Sequence, residues 1–169
     1  SRKKSFNPSL PINYRCLGGA FNDDFIYAGG VIMNGYLGVG GFMVKLDKDG
    51  NKILDFNVNV TSFESSNTNV DFIIPLSKNK ILISGSFDFC NGNRVLYNNA
   101  IIDSDGNFIS EINLFGQTRN ALRSYVKIEN DYYIVGDIIT DFGAIGALKV
   151  KNIETAIEEI SALVMHNRS

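Results

Sequence analysis

A chain of 169 residues, with 44% hydrophobic and 20% charged residues, is long enough to bury one sizeable core and has the balance of an ordinary globular protein. Its net charge of −2 lacks the basic excess that a phosphate backbone demands, so nucleic acid is not an expected partner. The 16 glycines and the frequent Asn and Ile suit short strands joined by Asn-Gly and Asp-Gly turns.

In chain order, the first element is an isolated strand-like segment at Lys4–Pro8, containing Phe6-Asn7. Four strands are then expected near Tyr14–Phe21, Phe25–Met33, Gly41–Leu46 and Lys52–Val58, the last two joined as a hairpin through Asp47-Lys48-Asp49-Gly50. The uncharged stretch Phe25–Val44 carries Asn34, Tyr36 and many glycines. It reads as strands, and no membrane insertion is expected. No charged n-region followed by an apolar h-region opens the chain, whose first residue is Ser1. A second set of strands follows at Val70–Leu76, Lys80–Phe87, Asn99–Asp103 and Asn107–Leu114.

The two sets keep one interval. Asp103-Ser104-Asp105-Gly106 follows Asp47-Lys48-Asp49-Gly50 by 56 residues, and the same 56 relates Gly85 to Gly29 and Ile112-Asn113 to Phe56-Asn57. A shortened third set, Arg123–Glu129, Asp131–Ile139 and Ala147–Val150, places Tyr132-Tyr133-Ile134-Val135 before Gly136 and has neither the DxDG turn nor a fourth strand. There the period changes: Ile153, Ala156, Ile157, Ile160, Leu163 and Val164 recur at helical spacing, with Asn152 as N-cap. The expected organisation is an all-β, β-propeller-like array of three four-stranded antiparallel blades over 1–152, in blocks of about 14–58, 70–114 and 123–151, then an amphipathic helix and tail over 153–169.

An apolar strand, a Gly pair or Gly-Ser (Gly29-Gly30, Gly85-Ser86), a variable loop, a short apolar strand, DxDG and then Phe-Asn together resemble the delta-60 repeat, a bacterial and phage-associated β-propeller repeat of uncharacterised function. The resemblance runs to about Lys151 and implies a binding or scaffolding propeller on a virion or cell surface, with no catalytic residues to carry over. Propellers ordinarily close with four to eight blades, so three imply other protein chains as partners, by self-association or within a larger structural protein.

Chemistry-bearing patterns are sparse. Asp47, Asp49, Asp103 and Asp105, with Asn51, Asn107, Asp55 and Glu111, form an oxygen-ligand series at calcium-loop spacing. Gly50 and Gly106 nevertheless come fourth, where a hairpin turn needs them, and the turn is the favoured reading. Gly38-Val39-Gly40-Gly41 is followed by neither Lys-Ser/Thr nor a helical pattern, which removes a phosphate cradle. The one histidine, His166, and the serines Ser84 and Ser86 outside any GxSxG elbow give no acyl-transfer triad. Cys16 and Cys90 lack metal spacing and fall at unlike repeat positions, so they read as one small buried hydrophobe and one loop thiol. No cofactor or metal is expected.

Recognition is assigned to three loops, Met33–Gly40, Asp88–Asn98 and Thr140–Gly146, with Tyr36, Arg94 and Tyr97 as ligand-binding candidates and Phe89 and Phe142 as gap-filling rings. The expected function is a non-enzymatic structural or adhesive module, extracellular or on a virion, that binds protein or glycan. The alternative is a glycan hydrolase using carboxylates such as Asp23, Asp24 and Asp88 in the propeller funnel. The innermost strands, Tyr14–Phe21, Val70–Leu76 and Arg123–Glu129, read as mostly apolar, which favours binding.

Overall fold

The structure, a computed structural model, describes residues 11–63, 68–112, 121–140 and 143–151. All regular structure among these residues is β-strand, arranged in four antiparallel sheets. The first sheet is a meander of β1 (Tyr14–Phe21), β2 (Ile26–Asn34) and β3 (Leu37–Leu46). The second runs β5 (Asn69–Ser77), β6 (Lys80–Ser86), β9 (Asn99–Ile102) and β10 (Phe108–Glu111), and the third β11 (Ala121–Ile128), β12 (Asp131–Thr140) and β13 (Gly143–Lys151). A small fourth sheet pairs β4 (Val60–Thr61) with the hairpin β7 (Phe89–Cys90) and β8 (Asn93–Arg94). The isolated segment at Lys4–Pro8 and the helix expected at 153–165 lie outside the described residues.

Sheet two is the middle layer. Val70, Ile73, Ile81, Ile83 and Ile102 meet Ala20, Tyr27 and Met43 of sheet one, while Phe72, Ile74, Leu82 and Ile101 meet Leu122, Tyr132 and Ile134 of sheet three. Burial on both faces explains why Ile81-Leu82-Ile83 and Ala100-Ile101-Ile102 are unbroken apolar runs rather than alternating ones. Pro75, which cannot donate to a ladder, marks β5 as an edge strand. Sheet one also buries Phe42, Val44 and Leu46 on its far face.

Pairing register refines the repeat. The DxDG turns superimpose at 56 residues, since Leu46 precedes one and Ile102 the other. Leu46 pairs with Ile26, however, and Ile102 with Ile81, an offset of 55 in the second strand. Gly85 is therefore the counterpart of Gly30, not of Gly29. The environments agree: a Cβ on Gly30 would lie 2.0 Å from the Arg15 carbonyl oxygen, and one on Gly85 would lie 2.1 Å from that of Asn69. Both glycines face a bulge in the preceding strand, where the backbone swings inward.

Four further expectations change. The fourth strand of sheet one is reduced to two isolated bridges, Leu46 to Lys52 and Met43 to Val58, because a turn at Leu54-Asp55 interrupts it. Met33–Gly40 is no loose loop: β2 and β3 extend until Asn34 pairs with Leu37, around Gly35 at φ 62°, the geometry of a two-residue primed turn. Likewise β12 and β13 pair as far as Thr140 with Gly143, and Asp88–Asn98 folds into the β7–β8 hairpin. Its turn, Asn91-Gly92, has φ of 49° and 78°, and the Asn91 side chain accepts from Asn59 N at 2.8 Å while donating to the Gly106 carbonyl at 2.7 Å.

Gly30→Ala and Gly85→Ala should each cost about 2–3 kcal/mol, because backbone rather than a flexible side chain blocks the new methyl. Gly92→Ala, with open space around it but a left-handed φ, should cost about 1–2 kcal/mol. Urea denaturation of the three variants checks the ranking.

Candidate functional site

The two DxDG turns are near copies. In each, the first Asp accepts from the backbone N–H groups two and four residues on: Asp47 Oδ1 from Asp49 N at 2.9 Å and Asn51 N at 2.8 Å, Asp103 Oδ1 from Asp105 N and Asn107 N at the same distances. The second oxygen takes the amide of Asn51 at 2.7 Å or of Asn107 at 2.9 Å. Gly50 and Gly106, at φ 87° and 93°, close the turns. Asp47 and Asp103 thus spend their carboxylates on the hairpin. Asp49 and Asp105 are exposed and enter through their backbone N–H groups. Among the described residues no group of three His, Cys, Asp or Glu side chains is placed to hold a metal.

The expected recognition residues separate. Tyr36 is fully exposed at the β2–β3 tip beside exposed Leu37 and Val39. Arg94 lies on β8 with its guanidinium 6.0 Å from the ring of Phe63, which meets Phe89 edge-on at 5.0 Å. Tyr97 is half-buried, and its carbonyl accepts from Asn99 Nδ2 at 2.8 Å. No described contact joins Tyr36 to the other two, and Phe142 lies outside the described residues. Cys16 is an exposed strand residue rather than a loop thiol. Cys90 is the buried one, its thiol pushed up to about 11 by burial, and both are free.

A different site emerges where the first strands meet. β1, β5 and β11 are each the edge strand of their sheet, and together they border a cleft of about 450 Å³. All three are bulged at the same point. Register shifts fall between Cys16 and Gly18, between Val70 and Phe72 and between Leu122 and Ser124, opposite Gly30, Gly85 and Gly136 in turn. The extra residues are Leu17, Asp71 and Arg123, and all three line the cleft. Bulges re-aim side chains and break the ladder, so the cleft receives one bulge residue from each sheet. Ser124, Tyr125 and Lys127 of β11 and Phe21 of β1 add to its wall.

β1, β5 and β11 are therefore less apolar than their sequence reads. Asp71 has one carboxylate oxygen buried without a hydrogen-bond partner. Burial pushes its pKa up, against the pull of the nearby Arg123 guanidinium. Tyr125 packs edge-on against Phe72 at 5.9 Å, its hydroxyl pKa raised by burial and by neighbouring Tyr132. Lys127 lies 5.0 Å from the Tyr132 ring centroid. Asp71, Arg123 and Lys127 are the charged residues described in the wall. Nothing in the spacing of Leu17, Asp71 and Arg123 announces this meeting; the only sequence trace is the glycine opposite each bulge. Against protein-family models, curated proteins and solved structures, the chain finds no match.

Asp71 and Asp103 should show opposite pH signatures. The Asp103 pKa is lowered: partial burial opposes the shift, but hydrogen bonds from Asn107, Asp105 and Gly106 outweigh it. Its contribution is present above the unfolded carboxylate pKa of about 4 and is lost as pH falls through the native value. Asp71, with a raised native pKa, instead contributes stability at low pH that disappears as pH rises through that value. Urea melts from pH 3 to 7 should show Asp103→Asn losing most at neutral pH, and Asp71→Asn gaining on the wild type as pH rises.

Proposed function

We propose that the chain is a non-enzymatic binding and scaffolding module whose sheets are propeller-type blades, with β1, β5 and β11 as the innermost strands. The observation that carries this reading is the set of equivalent bulges, one per sheet, turned toward one cleft. Blade stacking is supported by sheet two, apolar on both faces, and by sheet one, which buries Phe42, Val44 and Leu46 on the face away from sheet two. Sheet three leaves Val126, Ile128 and Val135 exposed on one face, the surface for a further layer from a second copy or from a larger structural protein. The amphipathic pattern at 153–165 is read as a helix capping the array. The resemblance to the delta-60 repeat supports a place on a virion or cell surface.

The hydrolase alternative is weaker. Glycoside cleavage uses two carboxylates about 5–10 Å apart, and Asp71 is the one acid among the described residues lining the cleft. Asp88, by contrast, spends its Oδ2 on Phe63 N at 2.9 Å, outside the cleft. Asp23 and Asp24 sit in the β1–β2 turn.

Stacking through sheet three predicts that the wild-type chain associates at micromolar concentration and that Ile128→Lys with Val135→Lys shifts it to monomer, measured by light scattering after size exclusion. A wild type that remains monomeric at about 100 μM would remove the self-association reading.

A further inference from the structure

We infer that Asn34 is a site of spontaneous covalent modification, its side-chain amide being lost to attack by the Gly35 nitrogen, while the fold locks the other Asn-Gly pair, Asn91-Gly92, against the same reaction. The sequence contains Asn followed by Gly at these two places and nowhere else. In both, the glycine puts no side chain in the way of its own nitrogen, and a Cβ there would meet nothing within 4 Å. The dipeptide alone gives the two asparagines equal standing, so their surroundings decide between them.

The reaction needs water as its one co-reactant. The Gly35 nitrogen attacks Asn34 Cγ, and the new C–N bond closes a cyclic imide. The Cγ–Nδ2 bond breaks, and ammonia departs with the proton that Gly35 gives up. Water then opens the imide at either carbonyl, leaving aspartate or, with the main chain rerouted through the side chain, isoaspartate. Nothing is oxidised or reduced.

Asn34 meets the requirements. It is exposed, and its amide makes no described hydrogen bond. As the last residue of β2 it is held, beyond the register shift between Ile32 and Met33, by its own pairing with Leu37 and by that of Met33 with Gly38. Gly35 lies in the turn outside both strands, and its N–H donates to no described carbonyl. Cγ and the nitrogen therefore meet at the end of a ladder, where local opening costs least.

Asn91 is half-buried and tied at each polar group. Its Oδ1 accepts from Asn59 N at 2.8 Å and its Nδ2 donates to the Gly106 carbonyl at 2.7 Å. Its backbone N–H donates to the Asn59 carbonyl at 2.8 Å, and its carbonyl accepts from Asn93 Nδ2 at 3.2 Å. Swinging Cγ onto the Gly92 nitrogen breaks both side-chain hydrogen bonds first, which should slow the step about tenfold or more. At Asn34 the product is a new negative charge within residues 25–44, a stretch that carries none, beside exposed Tyr36 and Leu37. An apolar contact made through this hairpin tip weakens as the chain ages.

The test incubates the chain in mildly alkaline buffer, folded and in guanidinium chloride. Peptide mapping by mass spectrometry with electron-transfer fragmentation follows aspartate and isoaspartate at both positions. In the folded chain Asn34 should convert at least about tenfold faster than Asn91, and in denaturant the two rates should fall within about threefold of each other. Equal rates in the folded chain, a faster Asn91, or a ratio that denaturant leaves unchanged would each overturn the assignment.

Discussion

The arrangement depends on how closely β5 lies on sheet one. A Cβ at Gly18 would sit 2.2 Å from the Asp71 carbonyl oxygen, one at Gly29 2.8 Å from Val70 Cγ1, and one at Gly41 2.6 Å from Val60 Cγ2 and 3.1 Å from the Asn69 Cα. These glycines have no turn to make; they are absent side chains that admit another strand's backbone. Because β5 can approach this far, Val70 and Ile73 reach the cluster around Tyr27 and Met43, and the Asp71 bulge arrives beside β1 instead of standing off from it. The same contact builds the core and places the cleft.

Between β3 and the β9–β10 turn, the first two sheets are joined by a cation. Lys45 is buried, with Nζ donating to the Ser104 carbonyl at 2.7 Å and lying 4.0 Å from the Phe25 ring centroid and 5.8 Å from that of Phe56. Burying an ammonium without a carboxylate partner is costly. A charge-assisted hydrogen bond of about 1.5–3 kcal/mol and a cation–π contact of up to about 2 kcal/mol offset much of the cost. Ser104 belongs to the second DxDG turn, so the tie needs a lysine on one sheet and that turn on the next. The corresponding residue of sheet two is Ile101, which packs on Leu122 and Tyr132 of sheet three instead. The third repeat has no DxDG turn and hence no such carbonyl to offer; the lysine and the turn are lost together.

Much of this was legible and some was not, for identifiable reasons. Strand existence followed from apolar runs between Gly, Asn and Asp, and the DxDG turns matched because a side chain bonding its own backbone two and four residues on is a local affair. The hairpins at Gly35 and Asn91-Gly92 were equally local. Unlike loop lengths in the two repeats suggest irregular structure there, although primed turns are written in the sequence. The one-residue error in aligning Gly85 came from adjacent glycines with different duties: Gly30 makes room for a bulge within its own sheet, and Gly29 for Val70 of the next. Strand-to-strand approach is a non-local fact, and a Gly-Gly pair does not declare which member serves which neighbour.

The cleft shows why its residues were the hardest to find. At each first strand the repeat keeps the backbone device, a bulge with a glycine opposite, while the bulge residue itself varies from Leu17 to Asp71 to Arg123. Packing constrains the glycine and the flanking Val70 and Leu122, which are buried, but it leaves the bulge residue outside the ladder and outside the core. A position freed from both pairing and packing can change its chemistry without changing the fold. The repeats agree where the backbone must turn or approach, and they differ at the three bulge residues that line the cleft, so repetition in the sequence reveals the shared backbone and not the cleft.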